Sequence, residues 1–141
     1  MSLNRNAENE QVVRQLFDGV DTRGAAVLYE VCSSDLAVHL FGSTLGRDEF
    51  SDLVKGFLQA LPDVKHNIED LISVNDRVVA RLSFIGTHQG ELQGYAPTGK
   101  QVKVTEIAIY RILDGKISEI WEEFDLLGLW QQLGVELPIG S

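Results

Sequence analysis

The chain has 141 residues, 44% of them hydrophobic, and no Pro- or Gly-rich linker divides it, so we expect one domain spanning residues 1–141. Its 21 acidic and 12 basic residues give a net charge of −9, and the bases are scattered singly, which argues against nucleic acid or an anionic membrane surface as a partner. A single cysteine, a polar amino terminus without a secretion signal, and the lack of an apolar run of about 18–20 residues indicate a cytoplasmic protein.

The first half of the chain is typical of helices. Apolar residues recur at helical spacing in three segments, and Asp21 or Thr22 can cap the second. The predicted elements are helices over Glu8–Gly19 and Thr22–Val31, a short strand around Ala37–Phe41, and a third helix within 46–63 that Pro62 ends.

The second half changes to the period of two that is typical of strands. Four strands are predicted over 64–74, 77–88, Val102–Leu113 and Ile117–Phe124, followed by a short helix over 126–133. The dipeptides Asn75-Asp76 and Asp114-Gly115 are hairpin signals, so the four strands form an antiparallel meander.

This order predicts an α+β fold in which a strongly curved antiparallel sheet packs on the helices and encloses a conical cavity. The strands within 77–88 and Val102–Leu113 carry apolar residues in both phases, so their outer face also needs a cover. No helix remains for that role. A second copy of the chain is the expected cover, which predicts a homodimer through the sheet.

Four short motifs carry a resemblance to a known family. They are G-T-H-x-G at 86–90, P-T-G-K at 97–100, Y-R-x-x-D-G-K-I at 110–117 and W-x-x-x-D at 121–125. With them the chain resembles the SnoaL-like polyketide cyclases, or predicted ester cyclases, of the superfamily of nuclear transport factor two and ketosteroid isomerase. The resemblance implies a cystatin-like α+β barrel and cofactor-free ring closure by intramolecular aldol condensation. It also implies that Asp125 is the acid/base aspartate and that His39 and His88 are polar pocket residues.

The segment Ile120–Asp125 places three acids beside large apolar side chains. In a strand Trp121, Glu123 and Asp125 share one face, whereas Glu122 points to the other. We expect Trp121 to form cavity wall, Glu122 to be a surface charge, and Asp125 to exchange a proton with a carbon acid. Glu123 either enters the same pocket or is turned to solvent by a bulge. Alternatively, all three acids are solvated edge-strand charges.

The three histidines suggest an oxyanion role rather than a metal site. Their spacing matches no metal-binding pattern, so no metal and no other cofactor is expected. His88, with His39 as second choice, can hydrogen-bond an enolate oxygen, although either histidine can equally be structural. His66 is interpreted as structural. Cys32 has no base placed near it by local sequence, so a nucleophilic role is not expected.

Several other residues are candidates for contact with a substrate. Arg81 is either a buried partner for an acid such as Glu106 or a charge on the dimer face. The loop Gly90–Lys100 is either a lid over the cavity or an ordinary flexible hairpin. The candidate substrate-binding residues are Trp121, Tyr95, Phe57, Glu123 and Arg81.

Two main functions remain open at this point. The first is a cofactor-independent acid/base enzyme, a cyclase or isomerase, acting on a small apolar carbonyl compound such as a polyketide or ester. The second is a protein of the same fold that only binds a small hydrophobic ligand. A pure dimerisation module would instead have a filled cavity with no inward carboxylate.

Overall fold

Helices and strands are both present in the computed structural model, which describes residues 2–136, and the predicted α+β class is confirmed. The helical segments are α1 (Ser2–Arg23), a 3-10 turn (Gly24–Val27), α2 (Leu28–Val31), α3 (Arg47–Ala60) and α4 (Leu126–Leu133). The strands are β1 (Cys32–Leu40), β2 (Ser43–Leu45), β3 (Lys65–Val74), β4 (Arg77–Thr87), β5 (Gln101–Leu113) and β6 (Lys116–Phe124).

The predicted boundary between the first two helices is wrong. Helix α1 continues past Gly19, because this glycine permits a close contact rather than stopping the helix: a Cβ atom there would lie 2.2 Å from Cγ2 of Val27. The helix ends near Gly24, whose φ of +79° lies in the left-handed region that glycine adopts readily. The predicted helix Thr22–Val31 is therefore the end of α1, the 3-10 turn and α2.

The predicted antiparallel meander is confirmed as β3 to β6. The full strand order is β2-β1-β6-β5-β4-β3, with β1 parallel to β6 and β2 antiparallel to β1. Strand β1 begins at Cys32, five residues before the predicted strand, and β2 was not predicted. The sheet is curved but open, so the barrel implied by the resemblance is not closed.

The two faces of the sheet have different surroundings. On β5, the side chains of Val102, Val104, Glu106, Ala108, Tyr110 and Ile112 are buried on the face that the helices cover, called here the inner face. A bulge between β5 and β6 at Arg111/Ile112 shifts the alternation of β6, so that Ile117 and Ile120 both point inward. From Ile120 onward every second residue faces inward, and this brings Glu122 to the inner face.

The apolar core consists of two clusters. The larger packs α1 and α3 against the inner face of β1, β4, β5 and β6, and the smaller packs α4 against the ends of β4 and β5. Phe124 packs against both clusters. Side chains from both clusters form the wall of one cavity, where the candidate active site lies.

Candidate active site

A cavity of about 330 Å³ lies between the inner face of the sheet and helices α1, α3 and α4. Loop residues Glu91, Leu92 and Gln93 border it. Eight aromatic side chains line the wall: Phe17, Phe41, Phe50, Phe57, Phe84, Tyr110, Phe124 and Trp130. Such a wall suits a largely apolar organic ligand.

Four of these aromatic rings and the imidazole of His66 form a continuous row across the cavity. The centroid distances are 5.1 Å for Phe17–His66, 5.7 Å for His66–Phe84, 6.1 Å for Phe84–Phe124 and 5.3 Å for Phe124–Phe41. These spacings fall in the range of favourable ring contacts. Neighbouring rings are inclined by 41–74°, so the row offers ring faces and edges against which an apolar ligand can pack.

On the sheet side of the cavity, two carboxyl groups interrupt the apolar wall. Glu106 lies on β5 opposite Phe124 of β6, and Glu122 lies on β6 opposite Ala108 of β5. They are diagonal neighbours on one face, a position in which residue centres are about 7–8 Å apart. Both carboxyl groups line the cavity. Within residues 2–136, no hydrogen bond from another residue shifts the pKa of either group.

Burial raises the pKa of both carboxyl groups above their usual range. Loss of hydration raises the pKa of Glu122 to about 7. Burial, and then the negative charge of Glu122, raise the pKa of Glu106 well above its usual range. Burial also raises the pKa of the neighbouring Tyr110, with Glu106 adding to the shift, so the phenol stays protonated. The inner face thus presents proton donors within an apolar wall.

An aspartate and a histidine form a second polar feature of the cavity. Asp21, in the last turn of α1, contacts the Nδ1 atom of His66 on β3 through Oδ1 at 2.6 Å. Its Oδ2 accepts the backbone N–H of His66 at 2.8 Å. His66 lines the cavity, whereas sequence reasoning had interpreted it as structural.

Trp121 and His39 lie on the outer face of the sheet, so the expectation that they face the cavity under the helices is wrong. The two rings stack at 5.5 Å, and Nε2 of His39 lies 2.6 Å from a carboxylate oxygen of Glu119. The guanidinium of Arg77 lies 5.0 Å from the centre of the Trp121 ring. Trp121 and His39 border an outer groove of about 610 Å³, because the helices cover the other phase of β6.

Asp125 lies just after β6 and does not line the cavity. Its carboxylate accepts the N–H of Gly128 at 2.8 Å and so caps the first turn of α4. Its backbone N–H donates to the carbonyl of Thr105, which anchors the start of this helix to β5. The geometry accounts for Asp125 as a helix cap, and the inward acid of the segment Ile120–Asp125 is Glu122.

His88 is fully buried but is absent from the cavity wall. Its Nδ1 accepts the backbone N–H of Thr98 at 3.2 Å, and its own backbone N–H and carbonyl bond Lys100 and Gly99. His88 thereby closes the base of the loop that Gly90–Lys100 forms. Tyr95 in this loop packs its ring 5.2 Å from that of Trp130, which does line the cavity.

The remaining candidate residues divide between the two faces. Phe57 on α3 lies in the cavity wall. Glu123 is exposed and borders the outer groove beside Trp121, and regular strand alternation rather than a bulge places it outside the cavity. Arg81 forms an exposed ion pair with Asp70 at 2.7 Å, which excludes the alternative that it is a buried partner of Glu106.

Other chemistries find little support among the described residues. Burial raises the pKa of the Cys32 thiol to about 12, so at neutral pH it is not a thiolate nucleophile. Within residues 2–136 no group of three or more His, Cys, Asp or Glu side chains is placed to hold a metal ion. In the same part of the chain, no helix has the length and apolar character needed to cross a membrane.

Comparison with known sequences identifies related proteins. The family model for SnoaL-like polyketide cyclases matches residues 10–133. The aklanonic acid methyl ester cyclase DnrD of Streptomyces peucetius is 39% identical over 61 residues, which are 43% of this chain and 42% of DnrD. The nogalonic acid methyl ester cyclase of Streptomyces nogalater is 31% identical over 100 residues, which are 69% of this chain and 73% of that enzyme. The chain thus matches less than half the length of DnrD.

Comparison with solved structures agrees on the fold. AclR of Streptomyces galilaeus, described as a candidate hydroxylase, superposes with a TM-score of 0.87 at 26% identity. The superposition covers 94% of this chain and 99% of AclR.

Proposed function

Because the chain belongs to the family of SnoaL-like polyketide cyclases, we propose that it closes a ring in a polyketide-type ester by an intramolecular aldol reaction. The names of the relatives suggest the substrate class, since they act on methyl esters of aklanonic and nogalonic acid. In such a reaction an enolate attacks a second carbonyl of the same molecule. Neither step needs a nucleotide or a redox cofactor, because the carbonyl groups of the substrate accept the electrons.

The observation that carries this proposal is the carboxyl pair Glu106/Glu122 within the apolar cavity. Burying two acids without hydrogen-bonded partners costs stability, and binding an apolar ligand does not require them. Perturbed carboxyl groups in a cleft are characteristic of acid/base catalysis. The pair therefore favours an enzyme over a protein that only binds a hydrophobic ligand.

The pair acts in this proposal at the carbonyl oxygen that becomes negatively charged. A protonated carboxyl group hydrogen-bonds that oxygen, stabilises the growing charge and then transfers its proton to the alkoxide. The raised pKa of Glu106 favours its protonated form, and Glu122, with a pKa of about 7, exchanges its proton readily. The row of aromatic rings holds the flat part of the substrate, and such orientation can contribute several kcal/mol to the rate.

The test is ring closure by the Glu122→Gln and Glu106→Gln variants with aklanonic or nogalonic acid methyl ester as substrate. Glutamine keeps the size of the side chain but cannot transfer a proton to an alkoxide. We expect each variant to lower kcat by about 10²-fold or more while KM changes little. Chromatography separates the ring-closed product from the substrate. Mass spectrometry then checks that the product has the same molecular mass as the substrate, as an aldol closure requires.

Glu123→Gln is the matched control, because it removes the same charge from the adjacent residue on the outer face. It should keep wild-type turnover. Equal losses in Glu122→Gln and Glu123→Gln would contradict the role of the pair. Binding of both esters without any turnover would support the ligand-binding function instead, and an oxygenated product would favour a hydroxylase.

We also propose that the chain forms a homodimer through the outer face of the sheet. An apolar row crosses this face on four neighbouring strands, with Ile72 opposite Val79, Val79 opposite Ile109 and Ile109 opposite Trp121. The helices described within residues 2–136 pack on the inner face and leave this row uncovered. A second copy presents the same row and can cover it by twofold symmetry.

A further inference from the structure

We propose that His66, held by Asp21, is the catalytic base that removes the proton from the carbon that becomes the enolate. This inference rests on the proposed cyclisation. The carboxyl pair Glu106/Glu122 is proposed to protonate the alkoxide, and His66 is now proposed to remove the proton from carbon.

The first support is the geometry of the Asp21–His66 contact. Both carboxylate oxygens of Asp21 are used, one on Nδ1 at 2.6 Å and one on the backbone N–H of His66 at 2.8 Å. The contact is shielded from water, since the side chains of His66 and Asp21 are only 9% and 17% exposed. Asp21 lies in the last turn of α1, where the helix dipole disfavours a carboxylate. Its position there is better explained by the histidine than by helix stability.

The second support is the tautomer that this contact imposes. A carboxylate only accepts hydrogen bonds, so Nδ1 of His66 carries the proton and its N–H donates a hydrogen bond to Asp21. The lone pair of the neutral ring is then on Nε2, which has no hydrogen-bond partner among residues 2–136. The ring is fixed between Phe17 at 5.1 Å and Phe84 at 5.7 Å, and it lines the cavity. Nε2 is therefore the atom that His66 can present to a substrate.

The third support is the position of His66 relative to the carboxyl pair. His66 lies opposite Phe84 on β4, Phe84 lies opposite Val104 on β5, and Glu106 is two residues further along β5. With strands about 4.8 Å apart and a rise of about 3.3 Å per residue, the Cα atoms of His66 and Glu106 are about 12 Å apart. Both side chains line the same cavity, so their functional groups can be closer together than their Cα atoms. One folded substrate can therefore place its acidic carbon at His66 and its reacting carbonyl oxygen at the carboxyl pair.

The proton and electron transfers balance without any further reactant. Nε2 of His66 takes the proton from a carbon between two carbonyls, and the C–H electron pair enters the enolate. The enolate carbon forms a bond to the second carbonyl carbon, whose π electrons move to its oxygen, and this oxygen takes a proton from the carboxyl pair. The Asp21 carboxylate stabilises the imidazolium meanwhile. When the product leaves, water returns the proton from His66 to the carboxyl pair.

The two roles can be separated by hydrogen exchange. In D₂O, wild-type protein should introduce deuterium at the acidic carbon of aklanonic or nogalonic acid methyl ester and also close the ring. His66→Gln should lose both reactions by about 10²-fold or more. Glu122→Gln should lose ring closure but continue to exchange deuterium, because its base remains. Exchange in buffer alone is subtracted.

Asp21 is tested as a positioning residue. Asp21→Asn keeps the size but not the charge, and we expect a loss of about 10-fold or more in kcat with little change in KM. Imidazole ¹⁵N NMR should show the proton of His66 on Nδ1 in the wild type and a mixture of tautomers in Asp21→Asn, a change that a loss of stability alone would not produce.

His39→Gln is the matched control, because this histidine also contacts a carboxylate at 2.6 Å but lies on the outer face. It should exchange and cyclise like the wild type. Undiminished exchange in a folded His66→Gln variant, together with loss of exchange in Glu122→Gln, would move the base to Glu122 and overturn this inference. If wild-type protein neither exchanges nor cyclises either ester, the proposed function fails and the base assignment fails with it.

Discussion

Glu122 and Glu106 destabilise the folded protein whenever they ionise. Both folded-state pKa values are raised by burial above the ordinary value of 4.5. For Glu122 the resulting stabilisation is therefore complete below about pH 4.5 and is lost as the pH rises through its folded-state pKa of about 7. We predict that the free energy of unfolding falls by on the order of 2 kcal/mol between pH 5 and pH 8 because of Glu122. Urea denaturation at several pH values measures this.

Glu122→Gln should remove most of that fall, because glutamine does not ionise. Glu123→Gln should preserve it, since this neighbour is exposed on the outer face. The same pH dependence in wild type and Glu122→Gln would show that Glu122 is ionised without cost, and the acid role would lose its basis.

For single residues, the sequence predicts that side chains alternate between the two faces of a strand, but not which face lies toward the helices. The prediction that Trp121 and Glu123 face the side opposite to Glu122 is correct. The cavity, however, was predicted on the face of Trp121, whereas it lies on the face of Glu122. The bulge at Arg111/Ile112 and the position of the helices decide the inner phase, and neither can be deduced from six residues. One signal was available for His66, which shares the phase of the apolar Val64 and Ile68. Its partner Asp21 is 45 residues away in sequence, so only the fold reveals the pair.

Helix α4 depends on Asp125 as its cap. Replacing a capping aspartate by alanine costs about 1 kcal/mol, whereas asparagine also caps well. We therefore predict that Asp125→Ala lowers the free energy of unfolding by about 1 kcal/mol, and that Asp125→Asn is nearly neutral in both stability and turnover. Urea denaturation and the cyclisation assay measure the two properties. A loss of about 10²-fold in kcat for Asp125→Asn would restore Asp125 as the acid/base residue that the sequence suggested.

The loop Gly90–Lys100 and α4 meet at Tyr95 and Trp130, and this gives an optical signal for the cavity. Trp130 lines the cavity and Trp121 lies on the other side of the sheet. We predict that an aromatic ester changes tryptophan fluorescence in the wild type and in Trp121→Phe, but not in Trp130→Phe. If Trp121→Phe loses the response instead, the ligand binds in the outer groove.

Elements with strong turn signals were predicted well. The hairpins at Asn75-Asp76 and Asp114-Gly115 define long strands whose pairing follows from chain order. Gly19 misled the prediction, because a glycine that stops a helix and one that admits a close neighbour are identical in sequence. Strand β1 was predicted too short, since only its parallel pairing with β6 extends it.

For the whole molecule, apolar residues in both phases of β4 and β5 indicated that each face of the sheet needs a cover. The structure supplies helices for one face only, within the part of the chain that it describes. On the other face Ile72, Val74 and Ile107 are 58%, 61% and 52% exposed. A patch of this kind is characteristic of an interaction surface.

We predict that the protein sediments as a dimer at micromolar concentration and that Ile107→Glu shifts it to the monomer. Ile107 is central on the outer face, between Glu123 and Arg81, which is already paired with Asp70, so an added carboxylate buried there would oppose association. Leu127→Glu is the control, because Leu127 is 45% exposed on α4 and gains the same charge away from that face. Ile107→Glu should still give the Trp130 fluorescence response, since its cavity is intact. A monomeric wild-type protein, or equal effects of the two variants, would show that the outer face is not the dimer interface.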